Sequence, residues 1–232
     1  MKNIAVILAS GVGKRAGGDL PKQFRLLSDG RSVLETCVDA FEKSPSVDHI
    51  LIVSHPDYIS LVQQSMLACG WQKIIDIVPG GAERWQSSFN AVSFLHDWCA
   101  ASSDISCLSE VNVLLHDCAR PFVSQRILSD VCDALLQYPA VTVAVPAVDT
   151  MYVVQDNCLV SIPPRTSMYR AQTPQAFRLA LVYEAYLTVL SHDTSLITDD
   201  IGVLRLACPD RQVYIVQGEE NNRKLTFNQD FA

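Results

Sequence analysis

The sequence predicts an α/β fold built on a mainly parallel, doubly wound sheet. Two observations carry that expectation. Short runs rich in Val and Ile alternate along the chain with longer segments of helical period. The repeated order strand, helix, strand then favours parallel pairing through right-handed crossovers.

The first strand is read at residues 3–8, Asn-Ile-Ala-Val-Ile-Leu. Its apolar run is only about five residues long and leads straight into Ser10-Gly11 without a small-residue cleavage pattern, so it reads as a buried strand and not as a signal peptide. Further strands buried on both faces are read at 49–53, 74–78, 111–116 and 141–145, each a compact apolar run. Helices are read between and after them at 33–42, 57–69, 84–98, 124–136 and 178–190. One stretch breaks the alternation. Residues 151–154 and 158–160 flank Gln155-Asp156-Asn157, which signals a hairpin arm spanning about 149–162. A lone hairpin is marginal in water and needs something to pack on, either a second subunit or, as a surface flap, its own domain. With no internal repeat or linker, residues 1–232 are expected to form a single domain.

Composition narrows the function. Apolar residues make up 49% and charged residues 19% of the 232, enough for a substantial core. A formal charge of −7 argues against a general nucleic-acid or membrane surface, so an anionic ligand has to be met by a few local cations. No stretch approaches the roughly 18 to 20 apolar residues of a membrane span. Eight cysteines are scattered without a C-x-x-C pair, which favours reduced thiols in a cytoplasmic protein over a zinc site or disulfide framework.

Ligands of such sheets bind outside the carboxyl ends of the strands. After the first strand comes Ser10-Gly11-Val12-Gly13-Lys14-Arg15, followed by Pro21-Lys22-Gln23. The glycines let backbone N–H groups approach a phosphate, and the spacing is neither a P-loop nor G-x-G-x-x-G. Arg15 and Lys22 can converge on a polyphosphate. After the third strand, Gly80-Gly81 precede a helix with Ser87 and Ser88 in its first turn, where free N–H groups are expected to meet an anion or a base edge. After the fourth, Asp117 is placed to hold ribose hydroxyls or to help coordinate Mg2+. His116 reads as a structural hydrogen-bonder. Arg165 and Lys224 are isolated cations suited to a second phosphate, and Thr198-Asp199 can cap the helix that follows.

In order, Gly11 to Arg15, Pro21-Lys22-Gln23, Gly80-Gly81 with Arg84, His116-Asp117 with Arg120-Pro121, Asp149-Thr150, Gln172-Thr173-Pro174-Gln175, Thr198-Asp199, and Asn222 with Lys224 and Thr226 resemble the cytidylyltransferase family that activates small polyol phosphates. That family includes 2-C-methyl-D-erythritol 4-phosphate and ribitol-5-phosphate cytidylyltransferases. The resemblance implies a Rossmann-like nucleotidyltransferase core with a projecting β-arm, a homodimer joined through the arms, and Mg2+ as cofactor. It implies that a small polyol phosphate attacks the α-phosphorus of CTP. Arg15, Lys22 and Lys224 would be catalytic. Ala9, Ser10, Gly11, Gly13, Gly81, Arg84, Ser87, Asp117 and Cys118 would bind CTP, with Asp117 near the metal. Arg165, Thr173, Thr198, Asp149 and Thr150 would bind the polyol phosphate.

Departures bear on the substrate. Ser10 stands where Ala or Gly is usual, and Tyr152 stands where many methylerythritol-phosphate enzymes have Lys. Ile162-Pro163-Pro164-Arg165 and Tyr169 look more like the ribitol-phosphate branch. The expectation therefore leans to ribitol 5-phosphate, with 2-C-methyl-D-erythritol 4-phosphate as the alternative. Two rivals are a nicotinamide-dependent reductase, which has no use for Arg15 plus Lys22, and a non-catalytic nucleotide sensor.

Overall fold

A computed structural model describes residues 1–11, 20–102, 108–191 and 194–231. The strands are β1 (Lys2–Ala9), β2 (His49–Ser54), β3 (Ile74–Pro79), β4 (Val111–Asp117), β5 (Ala140–Pro146), β6 (Val153–Gln155), β7 (Cys158–Ser161), β8 (Tyr169–Arg178) and β9 (Tyr214–Gln217). The helices are α1 (Val33–Glu42), α2 (Ile59–Cys69), α3 (Arg84–Ala101), α4 (Gln125–Ala134), α5 (Leu179–Leu190) and α6 (Asp200–Ala207). A seven-stranded sheet runs β3-β2-β1-β4-β8-β5-β9. All pairings are parallel except those of β8, which is antiparallel to both β4 and β5.

The pleat sorts side chains into two core layers. Ala5, Ile7, Ile50, Ile52 and Leu114 face α1, α2 and α4, while Ile4, Val6, Leu51, Val53 and Leu115 face α3, α5 and α6. Because successive residues point to opposite faces, each strand supplies both layers, which is why these strands are apolar along their whole length. The helix starts carry local signals. Ser32 forms a capping box with Glu35, Ser124 caps α4, and Asp199 caps α6 by accepting from Gly202 N at 2.7 Å.

The five predicted strands all form. Three predicted helices begin later than expected: 57–69 starts with a short turn at Pro56–Tyr58, 124–136 starts at Gln125 because Ser124 is its cap, and 178–190 starts at Leu179 because Arg178 still belongs to β8. β8 and β9 were not predicted. β8 carries Gln172, Thr173, Pro174 and Gln175, and a polar run with an internal Pro argues against a central strand. A bulge resolves the conflict. Thr142 pairs with Gln175 and Val143 with Gln172, leaving Thr173-Pro174 as extra residues, so β5 asks Pro174 for no donor.

The expected hairpin arm forms as β6 and β7, a separate two-stranded sheet. Asp156 and Asn157 turn it with φ of 48° and 60°, which these two residue types tolerate. Val153, Val154, Leu159 and Val160 are exposed along it. The seven described cysteines are free; Cys37, Cys99, Cys118 and Cys132 are buried, and Cys69 and Cys158 are exposed. No helix among the described residues is long and apolar enough to cross a membrane.

The bulge sets up the end of β4. Thr173 Oγ1 accepts from Asp117 N at 3.1 Å and meets His116 Nδ1 at 3.0 Å. His116 Nε2 lies 3.0 Å from the Arg120 carbonyl, which can only accept. When the ring is neutral its proton therefore sits on Nε2, and Nδ1 accepts from the Thr173 hydroxyl. Burial pushes His116 down to about 4. The unfolded chain, with His near 6.5, takes up a proton that the folded chain refuses as pH falls through 6.5 towards 4. About 3 kcal/mol of stability is lost across that window. Urea unfolding near pH 7 and near pH 4 checks this. His116→Gln is expected to flatten the slope, and an equal slope in the variant would place the proton elsewhere.

Candidate active site

β1 to β4 end on one edge of the sheet, and their loops wall a cavity of about 710 Å3. The chain enters through Ser10 and Gly11 after β1 and returns at Lys22 in a short helical turn, Lys22–Phe24. Pro21 sets up that turn, accepting from Phe24 N at 3.0 Å. Buried Gln23 ties it back to the strand by donating to Ala9 O at 2.7 Å, and Phe24 anchors it in the core. The Pro-Lys-Gln run therefore fixes the backbone from which Lys22 reaches the cavity.

Opposite stand Gly80, Gly81 and the hydroxyls of Ser10 and Ser87. Gly80 N donates to Ser54 O at 2.8 Å, and a Cβ at Gly80 would land on the Ser10 side chain and near Ser87 Oγ, so only Gly permits this approach. Ser10 and Ser87 hydroxyls meet at 2.8 Å, and Ser87 Oγ accepts from Gly81 N at 3.1 Å. One expectation is corrected here. Ser87 N is not free, because it donates to Glu83 O at 3.2 Å in the helix ladder; Ser87 faces the cavity through its hydroxyl. Glu83 and Gln86 form the capping box of α3.

Asp117 lies on the cavity floor between two cations. Arg84 Nε donates to Oδ1 at 2.9 Å and Lys224 Nζ to Oδ2 at 2.6 Å. Burial would raise its pKa, but Arg84 and Lys224 outweigh that and hold the carboxyl well below the usual carboxylate range. Lys224 comes from the far end of the chain. Leu225 N donates to Ala119 O at 2.8 Å, Arg120 Nη1 to Asn222 O at 2.8 Å, and buried Asn222 to Thr173 O at 2.8 Å. Arg120 and His116 thus hold their loops together.

The structure brings Ala9, Ser10, Gly11, Lys22, Gly81, Arg84, Ser87, Asp117, Cys118 and Lys224 around this cavity. Gly13 and Arg15 lie outside the described residues. Thr173 is buried behind Asp117 and supports it without lining the cavity. Asp149, Thr150 and Arg165 sit exposed at the arm, with Arg165 Nη1 donating to Val148 O at 3.2 Å, and Thr198 is exposed before α6; none lines the cavity. His55, Pro56 and Glu83 line it without having been singled out. The signal for His55 and Pro56 was their place just after β2. Among the described residues no group of three His, Cys, Asp or Glu side chains could cage a metal. A lone carboxylate suits Mg2+, which is commonly held by one or two carboxylates plus substrate phosphates.

Residues 3–232 match the family model described as 2-C-methyl-D-erythritol 4-phosphate cytidylyltransferase. Relatives of that name are 36% identical in Thermobifida fusca, over 98% of this chain and 90% of theirs, and 37% identical in Geobacter metallireducens, over 100% and 95%. A bifunctional ribulose 5-phosphate reductase/CDP-ribitol pyrophosphorylase of Haemophilus influenzae is 34% identical over 97% of this chain and 46% of its own length. Among solved structures, 4-diphosphocytidyl-2C-methyl-D-erythritol synthase from Anaerococcus prevotii superposes with a TM-score of 0.82 at 28% identity, covering 99% and 92% of the two chains. The 2-C-methyl-D-erythritol 4-phosphate cytidylyltransferase of Francisella tularensis gives 0.79 at 25% identity, covering 100% and 97%. The family model and most of these relatives are named for methylerythritol phosphate, which favours that alternative over the lean towards ribitol phosphate drawn from Tyr152 and residues 162–169. A cation-walled cavity at the carboxyl edge of a Rossmann-like sheet and a family match along almost the whole length agree: the chain is a nucleotidyltransferase of the 2-C-methyl-D-erythritol 4-phosphate cytidylyltransferase family.

Proposed function

We propose that the protein transfers CMP from CTP to 2-C-methyl-D-erythritol 4-phosphate. The observation that carries the chemistry is one cavity lined by Lys22 and by Arg84 and Lys224, the last two paired with the Asp117 carboxylate. The family match carries the choice of polyol. A phosphate oxygen of the polyol phosphate attacks the α-phosphorus of CTP, a new P–O bond forms, and the bond to the β-phosphate breaks to release pyrophosphate. The attacking phosphate is already ionised near neutral pH, so no general base is needed. His116 fits that picture, since its ring is buried and bonded to Thr173 and Arg120. What remains is positioning and charge stabilisation.

In this reading Lys22 and Lys224, with Arg15, hold the triphosphate and stabilise the charge that builds on the α-phosphate. The base and ribose lie against Ala9, Ser10, Gly11, Gly81, Ser87 and Cys118, and Asp117 serves the ribose and Mg2+. Bound Mg2+ would neutralise phosphate charge and aid departure of pyrophosphate. Arg165, Thr198, Asp149 and Thr150 receive the polyol phosphate. Their exposure outside the cavity supports a homodimer in which the arm of one copy completes the site of the other. The exposed apolar side chains of β6 and β7 support the same arrangement.

A ribitol-phosphate substrate is the second reading, favoured by Tyr152, the 162–169 segment and the Haemophilus influenzae relative. A pyrophosphate-release assay with CTP decides between them. The expected outcome is a kcat/KM at least about tenfold higher with 2-C-methyl-D-erythritol 4-phosphate, a difference of about 1.4 kcal/mol in transition-state binding; the reverse order would establish the ribitol reading. Lys22→Ala is expected to lower kcat about 100-fold, the scale for losing one preorganised charge contact, and an unchanged kcat removes Lys22 from the mechanism. Arg165→Ala is expected to be nearly inactive with CTP binding intact. Mixing it with Lys22→Ala should restore about a quarter of wild-type sites, because half the dimers then hold one intact site. No recovery in demonstrated mixed dimers would place Arg165 and Lys22 in the same subunit's site.

A further inference from the structure

Arg84 faces Asp117 with one side of its guanidinium and a second carboxylate with the other. Its Nη1 lies 2.8 Å from Asp200 Oδ2, an ion pair off the line of a hydrogen bond. Asp200 is 0% exposed at the start of α6. It is held from two other directions: Tyr186 OH donates to Oδ1 at 2.7 Å, and Asp200 N donates to Gln175 Oε1 at 3.0 Å. Tyr186 is itself fully buried, and burial followed by the Asp200 charge raises its pKa well above the phenol value, so it stays a donor. Four charges of alternating sign therefore run from the core to the cavity: Asp200, Arg84, Asp117, Lys224.

We propose that Asp200 is a positioning residue for cytidylyl transfer: through Arg84 it sets the orientation of the Asp117 carboxylate and, with it, the place of Lys224. The proposal rests on the cytidylyl-transfer reading and adds a residue 0% exposed that does not line the cavity. Arg84 is the element that transmits the constraint, because a planar guanidinium gripped at two edges cannot rotate without breaking one contact. If Asp200 served only to fasten α6 to α3, a pair of apolar side chains would do so at least as well. The carboxylate instead supplies charge balance. Without it, Arg84 has Asp117 as its one described carboxylate partner and the cavity wall gains one unit of positive charge.

That charge change gives the test a sign that loss of stability does not have. Asp200→Asn is nearly isosteric. Its kcat is expected to fall about tenfold or more, while CTP binds as tightly as to wild type or tighter, because a negative charge has gone from behind the wall of an anion site. Titration calorimetry with CTP and Mg2+, paired with steady-state pyrophosphate release, reads both quantities. Undiminished kcat, or CTP binding weakened in step with the melting temperature, overturns the proposal. In an Arg84→Lys background the same substitution is expected to change kcat by less than about twofold, because the connecting guanidinium is gone; a full tenfold further loss also overturns it. Should Asp200→Asn fail to fold, Tyr186→Phe keeps the charge and the packing while freeing the carboxylate. It is expected to lower kcat about threefold with CTP affinity unchanged, and wild-type kcat there rejects the proposal. A wild-type protein that binds no CTP defeats the transfer reading and this proposal together, whereas an active wild type with an equally active Asp200→Asn variant defeats this proposal alone.

Discussion

The Asp117 carboxylate is the group on which the arrangement of the site depends. A carboxylate this deeply buried is tolerable only when cations meet it, since removing one partner of a buried ion pair costs several kcal/mol. Its two partners come from distant parts of the chain: Arg84 opens α3 and Lys224 belongs to the C-terminal segment. Each cation is in turn committed to the cavity because Asp117 is there. One negative charge thereby forces the end of β4, the start of α3 and the last residues of the chain into a common geometry.

Neutral contacts complete that geometry. The bulge at Thr173-Pro174 turns the Thr173 hydroxyl onto Asp117 N, and neutral His116 accepts a hydrogen bond from that hydroxyl. Arg120 and Asn222 lace the loop after β4 to the segment carrying Lys224. Gln23 does the same for the loop carrying Lys22. These residues touch no phosphate in the proposed mechanism. They make the cations preorganised, so that little reorganisation is left for the moment of reaction.

Much of this was legible beforehand. The alternation of Ile and Val runs with helical segments specified the first five strands, because both faces of a parallel sheet must be apolar. The glycine-rich loop, Gly80-Gly81 and Asp117 could be placed at the ligand crevice because each follows a strand. β8 was hidden because its polar residues and Pro174 mimic a loop, and only the bulge makes them compatible with a central position. Asp200 was hidden for a different reason. Thr198-Asp199-Asp200 reads as a helix cap, and Asp199 does cap α6, so nothing in the local pattern distinguished the second carboxylate as buried.

The sequence by itself determined the fold class, the hairpin arm, and a family whose motifs appear in order from Gly11 to Thr226. Those are properties of local periodicity, turn chemistry and motif spacing, which the chain carries wherever it goes. Tertiary structure decided which of the named residues share a cavity. It brought Lys224 to Asp117 across 107 positions, turned Ser87 to the site by its hydroxyl instead of its N–H, and left Arg165 and Thr198 outside. Ion pairs and close backbone approaches between distant segments leave no periodic trace along the chain, so only the packed sheet could reveal them.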